Sequence, residues 1–363
     1  MKQFGSNQVS CLDYAVIIRF AGKRKVLSTG PVGGGFSEHL TAAFNLDMKD
    51  KDTGECRLRG ATYREHMELV AGQDLGLEAE YVTGLGTAAS MKHAAVKIKT
   101  YRELSVSALV TAGVDVNGAR AGDLASWYET KDGYADVTPG TVNIFLDINA
   151  GLDESAMLQA LMVCTEAKAA ALQELLAPSL YSEGIATGSG TDGVVIITEP
   201  DAALSFSDAG KHSKLGELIG AAVIEAVKEA LFLETGLCPA YQHTVLRRLD
   251  TFGVTAVSLW EDYCHRNPEN RMPRESFDRI LQTINREPAC VVYTSLYVHL
   301  ADQLAWGMIG QQEARQAAEE LLGKMGMNRQ AQKKKRRTDG GCGLIEDYTA
   351  GMTEKIMRLW EEG

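Results

Sequence analysis

The feature that most constrains this chain is a change of periodicity at Cys238-Pro239. Before it, short β-branched runs follow one another: Tyr14–Phe20, Val26–Thr29, Tyr81–Ser90, Ala94–Thr100, Ser105–Gly113 and Thr141–Ile148. Strands joined by turns rather than helices favour antiparallel pairing over a doubly wound parallel sheet. After it only the helical period remains, over Tyr241–Phe252, Val254–His265, Arg274–Arg286, Cys290–Trp306, Gln311–Met325 and Leu344–Trp360. Pro239, Pro268, Pro273 and Pro288 punctuate those runs. At 363 residues the chain also exceeds the ~250–300 that one core serves. The pattern predicts an α+β unit over 1–237, a mainly antiparallel or mixed sheet with packed helices. An all-α extension follows over 238–363, interrupted by an exposed linker at 330–343 (QAQKKKRRTDGGCG).

Helices also belong to the first unit. Thr62–Ala71 is short and amphipathic. Asp153 caps a long helix in which Met157, Leu158, Leu161, Met162, Leu172 and Leu175 recur at helical spacing. Glu166 and Lys168 are two residues apart on it and so point to different faces. A helix from Ser213 carries the cleanest apolar stripe, from Leu215 and Leu218 through Val223 to Leu231.

Composition narrows the class. With 45% apolar and 23% charged residues the chain is globular. A formal charge of −11 argues against nucleic acid or an anionic membrane as partner. Seven cysteines occur without a CxxC pair, which suits a reducing compartment. No stretch approaches the ~20 apolar residues of a membrane span. The expectation is a soluble, cytoplasmic protein. No histidine has metal-ligand spacing, so no protein-bound metal is expected.

Polar chemistry concentrates in residues 186–220. Ala186-Thr-Gly-Ser-Gly-Thr-Asp192 enters the apolar run Gly193–Thr198, and Gly210-Lys-His-Ser-Lys-Leu-Gly216 opens the following helix. Two further loops stand out. Gly33-Gly-Gly35 allows close backbone approach to a ligand or a flexible turn, and lacks the Gly-Lys-Ser/Thr ending of a Walker phosphate loop. Val116–Asp123 carries Asn117, Arg120 and Asp123 between glycines.

Taken in order, these segments resemble the adenosylcobinamide amidohydrolase family. The resemblance rests on Val26-Leu-Ser-Thr29 with Gly33–Gly35, Leu109-Val-Thr-Ala-Gly113 with Asn117, and Gly140-Thr-Val-Asn143. It continues in Thr165-Glu-Ala-Lys168, Ala186–Asp192 and Gly210–Gly216, covering roughly residues 12–236. It implies a hydrolase that cuts the amide joining the aminopropanol arm to the corrin ring of adenosylcobinamide, giving adenosylcobyric acid. The corrinoid, with its cobalt, is then the substrate, and the protein has no cofactor of its own. The helical tail lies outside the resemblance, and its apolar helix Cys290–Trp306 suits a packed or homo-oligomeric role.

Amide hydrolysis needs an activated water or nucleophile, a proton donor for the amine and donors for the oxyanion. His212 is the expected general acid or base, with Asp192 orienting it or activating water; a simple helix cap is the plain alternative. Lys211 would polarise a carbonyl or remain solvated. Glu166 completes the catalytic set, although its helix position equally suits a structural carboxylate. Thr187, Ser189, Thr191, Gly34, Asn117, Arg120 and Lys168 are expected to contact substrate. Ser189 and Thr191 lack a nucleophile elbow, since the loop reads Gly188-Ser-Gly-Thr. Two other classes use the same residues: a corrinoid-binding protein without hydrolysis, and a phosphate-handling transferase built on Gly33–Gly35 and Lys211.

Overall fold

In this computed structural model residues 4–49, 56, 58–125, 141–269, 271–327 and 340–362 are described. Two compact units divide the chain, Met1–Cys238 and Pro239–Gly363. In the first, β1 (Gln8–Cys11), β2 (Ala15–Arg19), β3 (Lys25–Ser28), β4 (Gly35–Ser37) and β5 (Ala42–Asp47) precede α1 (Tyr63–Gln73). Then come β6 (Val82–Thr87), β7 (Ala95–Tyr101), β8 (Leu104–Ala112), β9 (Gly118–Ala119), β10 (Val142–Ile148) and β11 (Gly151–Leu152). The long α2 (Glu154–Glu174) leads to β12 (Gly188–Ser189), β13 (Gly193–Thr198), β14 (Ser205–Phe206) and α3 (Lys214–Thr235).

The strands form a four-stranded sheet, β1-β2-β5-β6, and a six-stranded sheet, β4-β3-β13-β10-β8-β7, with two small pairs beside them. Most neighbours are antiparallel. Within the two larger sheets the parallel pairs, β5–β6 and β10–β13, are those whose connections contain α1 and α2, as a crossover requires. The architecture is α+β with mixed sheets.

Alternation along the strands stacks the layers. Val142, Ile144, Leu146 and Ile148 of β10 pack with Val194 and Ile196 of β13 under α2 and α3. Phe145, Val195 and Ile197 point the other way, against Val16, Ile18, Ala43 and Leu85 of the second sheet. Phe44, Leu46 and Ile17 face Met67, Val70 and Ala71 of α1. Period-two patterning thus builds four layers, helix–sheet–sheet–helices. Asp153 caps α2 by accepting from Ala156 N at 2.7 Å, and Ser213 caps α3 through Gly216 N at 3.0 Å. The Asp153 cap lies where the sequence puts it, and the helix expected from Ser213 begins one residue later, with Ser213 as its cap.

The second unit is helical: α4 (Pro239–Gln242), α5 (Val245–Leu249), α6 (Ala256–Arg266), α7 (Arg274–Asn285), α8 (Pro288–Ala305), α9 (Gln311–Lys324) and α10 (Gly340–Glu362). The run expected as one helix over Tyr241–Phe252 is broken, because Thr244 turns extended and caps α5 through Arg247 N. Tyr263, Tyr297 and Tyr348 fill the core, and each hydroxyl finds a partner. Tyr263 takes Met272 N, Tyr297 donates to Leu344 O at 2.7 Å, and Tyr348 meets Thr294 at 2.5 Å. The contact at Leu344 anchors the first turns of α10. Residues 340–343, expected in the linker, are helical instead; residues 330–339 of that expectation lie outside the described residues. Among the described residues no helix is long and apolar enough to cross a membrane.

Candidate active site at one end of the six-stranded sheet

Register brings three loops together. Ala112 pairs with Val142, Asn143 with Gly193, and Ser28 with Val195. The segments 113–123, 186–192 and 29–35 therefore leave the six-stranded sheet at the same end. Two of them pair through β9 and β12, Gly188 against Ala119 and Ser189 against Gly118. Thr187 Oγ1 accepts from Ala121 N at 2.9 Å and helps hold that pairing.

At their centre Lys168, from the buried side of α2, forms an ion pair with Asp192. Asp192 Oδ1 accepts from Ser189 Oγ at 2.7 Å, Ser189 N at 2.9 Å and Val142 N at 3.1 Å. Both carboxylate oxygens are thus engaged, which makes Asp192 the organiser of the loop rather than a base for water. Lys168 is only 6% exposed. Gly188 lets the chain pass over this pair, since a Cβ there would overlap the Asp192 carboxylate and come within 2.6 Å of Lys168 Nζ. Thr191 O accepts from Thr141 Oγ1, and Thr191 N donates to Ser189 Oγ at 3.3 Å. Asn117 is buried beside this loop, its Nδ2 3.7 Å from where a Gly190 Cβ would stand.

Between the sheets, directly behind, runs a buried polar chain. Asn143 Nδ2 donates to Asn45 Oδ1 at 2.8 Å and to Gly86 O at 3.0 Å, and Asn45 Nδ2 donates to Thr111 Oγ1 at 2.8 Å. All three side chains are at most 1% exposed. Fully satisfied, such a network fixes how the two sheets meet at this end. On the rim, His93 Nδ1 lies 2.7 Å from Glu234 Oε2 near the end of α3. Nothing in the sequence singles out His93, because its partner is 141 residues away. The motif residues Asn143 and Thr111 were visible; what they bond to was not.

Several expected site residues lie elsewhere. His212 is exposed and precedes α3, whose Lys214 ammonium stands 4.8 Å from the Tyr101 ring centroid at the far tip of β7. The other end of α3 reaches His93. The segment with His212 therefore lies toward the end of the sheet that β13 runs to, and the Asp192 carboxylate is taken by Lys168, Ser189 and Val142 rather than by a histidine. Lys211 pairs with Glu166 at 2.7 Å on the exposed face of α2, turned away from Lys168. Arg120 is exposed, with its backbone amide on Asp123. Gly34 belongs to a tight turn, where a Cβ would overlap Gly30 O, so the loop folds on itself.

The electrostatics sort the remaining groups. Burial pushes the Cys164 thiol, one turn from Lys168, up to about 12, so it stays protonated and is no nucleophile. Burial also raises the Asp47 carboxyl, with Glu234 adding to the effect and Lys49 opposing it. Asp123 is subject to burial, but hydrogen bonds from Ser179, Ser182 and the Arg120 amide outweigh it and leave the carboxyl below the usual range. Among the described residues no group of three His, Cys, Asp or Glu is placed to hold a metal ion.

Comparison with known proteins covers the same region. The model of a family described as adenosylcobinamide amidohydrolase matches residues 2–239. The chain is also 34% identical over 228 residues to the uncharacterized protein MJ1613 of Methanocaldococcus jannaschii, a match covering 60% of this chain and 85% of that protein. The family match ends at the boundary between the two compact units.

Proposed function

Because this chain belongs to the adenosylcobinamide amidohydrolase family, we propose that it hydrolyses the amide between the aminopropanol arm and the corrin ring of adenosylcobinamide. The products are adenosylcobyric acid and aminopropanol, and the cobalt arrives with the substrate. The observation that carries this reading is that three loops leave the sheet at the same end as the Lys168–Asp192 pair. Every one of those loops contains a segment on which the family resemblance rests.

In this proposal Asp192 fixes the Lys168 ammonium at the floor of the site, and Lys168 Nζ stabilises the oxyanion that develops on the scissile carbonyl. A preorganised, largely dry cation suits that task, since no solvent must reorient as charge builds. Asn117 and the Thr187–Thr191 loop take the amide fringe of the corrin. Water is the attacking group: Ser189 donates its hydroxyl proton to Asp192 and lacks an adjacent histidine base.

The test is incubation of the purified full chain with adenosylcobinamide, following free aminopropanol by mass spectrometry. Stoichiometric release supports the reading. Retention of intact corrinoid on the protein without release would replace it with a binding protein.

A further inference from the structure

The reaction needs a group that takes a proton from water and gives it to the departing amine, and neither Lys168 nor Asp192 is placed to do so. We propose that His93, oriented by Glu234, is that general base and acid; the inference rests on the amide-hydrolase reading above.

The geometry is specific. Glu234 is a carboxylate and can only accept, so His93 Nδ1 carries the hydrogen in their 2.7 Å contact. That fixes the tautomer and leaves Nε2 with its lone pair, to which no protein group among the described residues is bonded. Glu234 is itself held, because Ser90 N donates to the same oxygen at 3.0 Å. Its side chain is 16% exposed and that of His93 40%, so the carboxylate is sheltered while the ring reaches solvent. This is the base-plus-orienting-carboxylate arrangement that activates water in unrelated hydrolases. A purely structural origin is disfavoured by position: Glu234 lies in the last turn of α3, where the helix dipole opposes a negative charge.

The dyad stands on the rim of the same site. A Cβ on Gly113 would lie 3.8 Å from Glu234 Cγ. Gly113 N donates to Thr141 O at 3.0 Å, and the next residue, Val142, donates to Asp192. These contacts link the two clusters. Water would add its oxygen to the carbonyl carbon while its proton passes to Nε2. The C–N bond then breaks as Nε2 returns that proton to the amide nitrogen, leaving carboxylic acid and amine for one water consumed, and the acid's proton passes to the amine to give carboxylate and ammonium. Charged groups near the dyad among the described residues include Asp47 with Lys49 at the end of β5, Asp115 beyond Gly113, and Lys92, next to His93 in the chain and paired with Asp13.

The experiment measures aminopropanol release by the full chain and by His93→Ala, His93→Gln and Glu234→Gln, across pH and with added imidazole. Thermal unfolding of each variant runs alongside. We expect His93→Ala to lower kcat at least 100-fold with KM within about threefold, and imidazole to restore it at least tenfold. His93→Gln preserves a polar contact to Glu234, keeps the fold and stays inactive, and Glu234→Gln displaces the pH–rate profile. Activity in His93→Gln within threefold of wild type, or no rescue of a folded His93→Ala, would overturn the proposal. Absence of release by the wild type itself would instead strike the reaction, and the dyad's role in it falls with that.

Discussion

The two ends of the six-stranded sheet each bury a charged cluster, and they are built to different purposes. At one end Lys168 and Asp192 lie under loops that the sheet register gathers. At the other, Asp147 of β10 accepts from Asn7 Nδ2 at 2.7 Å, while Arg24 bonds Asn7, Ser6 and Glu199. Residues 4–7 close over this second cluster: Phe4 is fully buried, and a Cβ on Gly5 would overlap the Asp147 carboxylate. The far cluster is a clasp that pins the first residues of the chain to the sandwich. A buried charge therefore does not by itself mark a site. What separates the two ends is the pairing of two loops through β9 and β12 and the His93–Glu234 contact beside them at the first.

The largest effect that sharpens this contrast is expected at Lys168. Removing it leaves Asp192, whose side chain is 15% exposed, as a half-buried and uncompensated carboxylate, a change worth up to about 3 kcal/mol, the low end for a buried pair. Lys168→Met should lower thermal stability accordingly and abolish aminopropanol release. Adding Asp192→Asn removes the stranded charge while keeping an oxygen for Val142 N and Ser189 N. The double variant should recover much of the stability and none of the activity; recovery of both would make the pair another clasp.

The far cluster makes the opposite prediction, an effect on stability alone. Burial raises the Asp147 carboxyl to about 7, with Glu199 adding to the shift and Arg24 opposing it. Unfolded, the same group titrates near ~3.9. Between those values the folded state holds a proton that the unfolded state has lost, so stability falls as pH rises. The slope approaches 1.4 kcal/mol per pH unit for one proton. Chemical denaturation from pH 4 to 8 should show that decline in the wild type and a flatter curve in Asp147→Asn. Aminopropanol release by Asp147→Asn at neutral pH should stay within about twofold of wild type.

Ser189→Ala is expected to be milder. It deletes one of three hydrogen bonds to Asp192 Oδ1 and keeps the backbone donors. A loss of about 1–2 kcal/mol in stability should accompany a KM change larger than the kcat change. An equal loss of kcat to that of Lys168→Met would instead point to a serine nucleophile.

Much of this was legible in the sequence. Strand runs, the cap Asp153, the helix start near Ser213 and the switch to helix near Pro239 are local signals, written in residues a few positions apart. The polar loop Ala186–Asp192 was legible for the same reason. What the residues alone did not disclose is pairing across distance: Lys168 with Asp192, Asn143 with Asn45, His93 with Glu234. The pairing of His212 with Asp192 failed on direction. Asp192 precedes β13 and the segment with His212 follows it, and the two ends of one strand point to opposite ends of the sheet. Chemical suitability at near sequence positions misled where strand polarity would have decided.

The central claim is that chemistry occurs at the Lys168 end and not where His212 stands. The most direct measurement compares kcat/KM for adenosylcobinamide in His212→Ala and in Lys168→Met/Asp192→Asn, beside wild type and with each fold verified. The account predicts His212→Ala within twofold of wild type and the Lys168 double variant at least 100-fold lower. A folded His212→Ala that is inactive, beside an active Lys168 double variant, would contradict it.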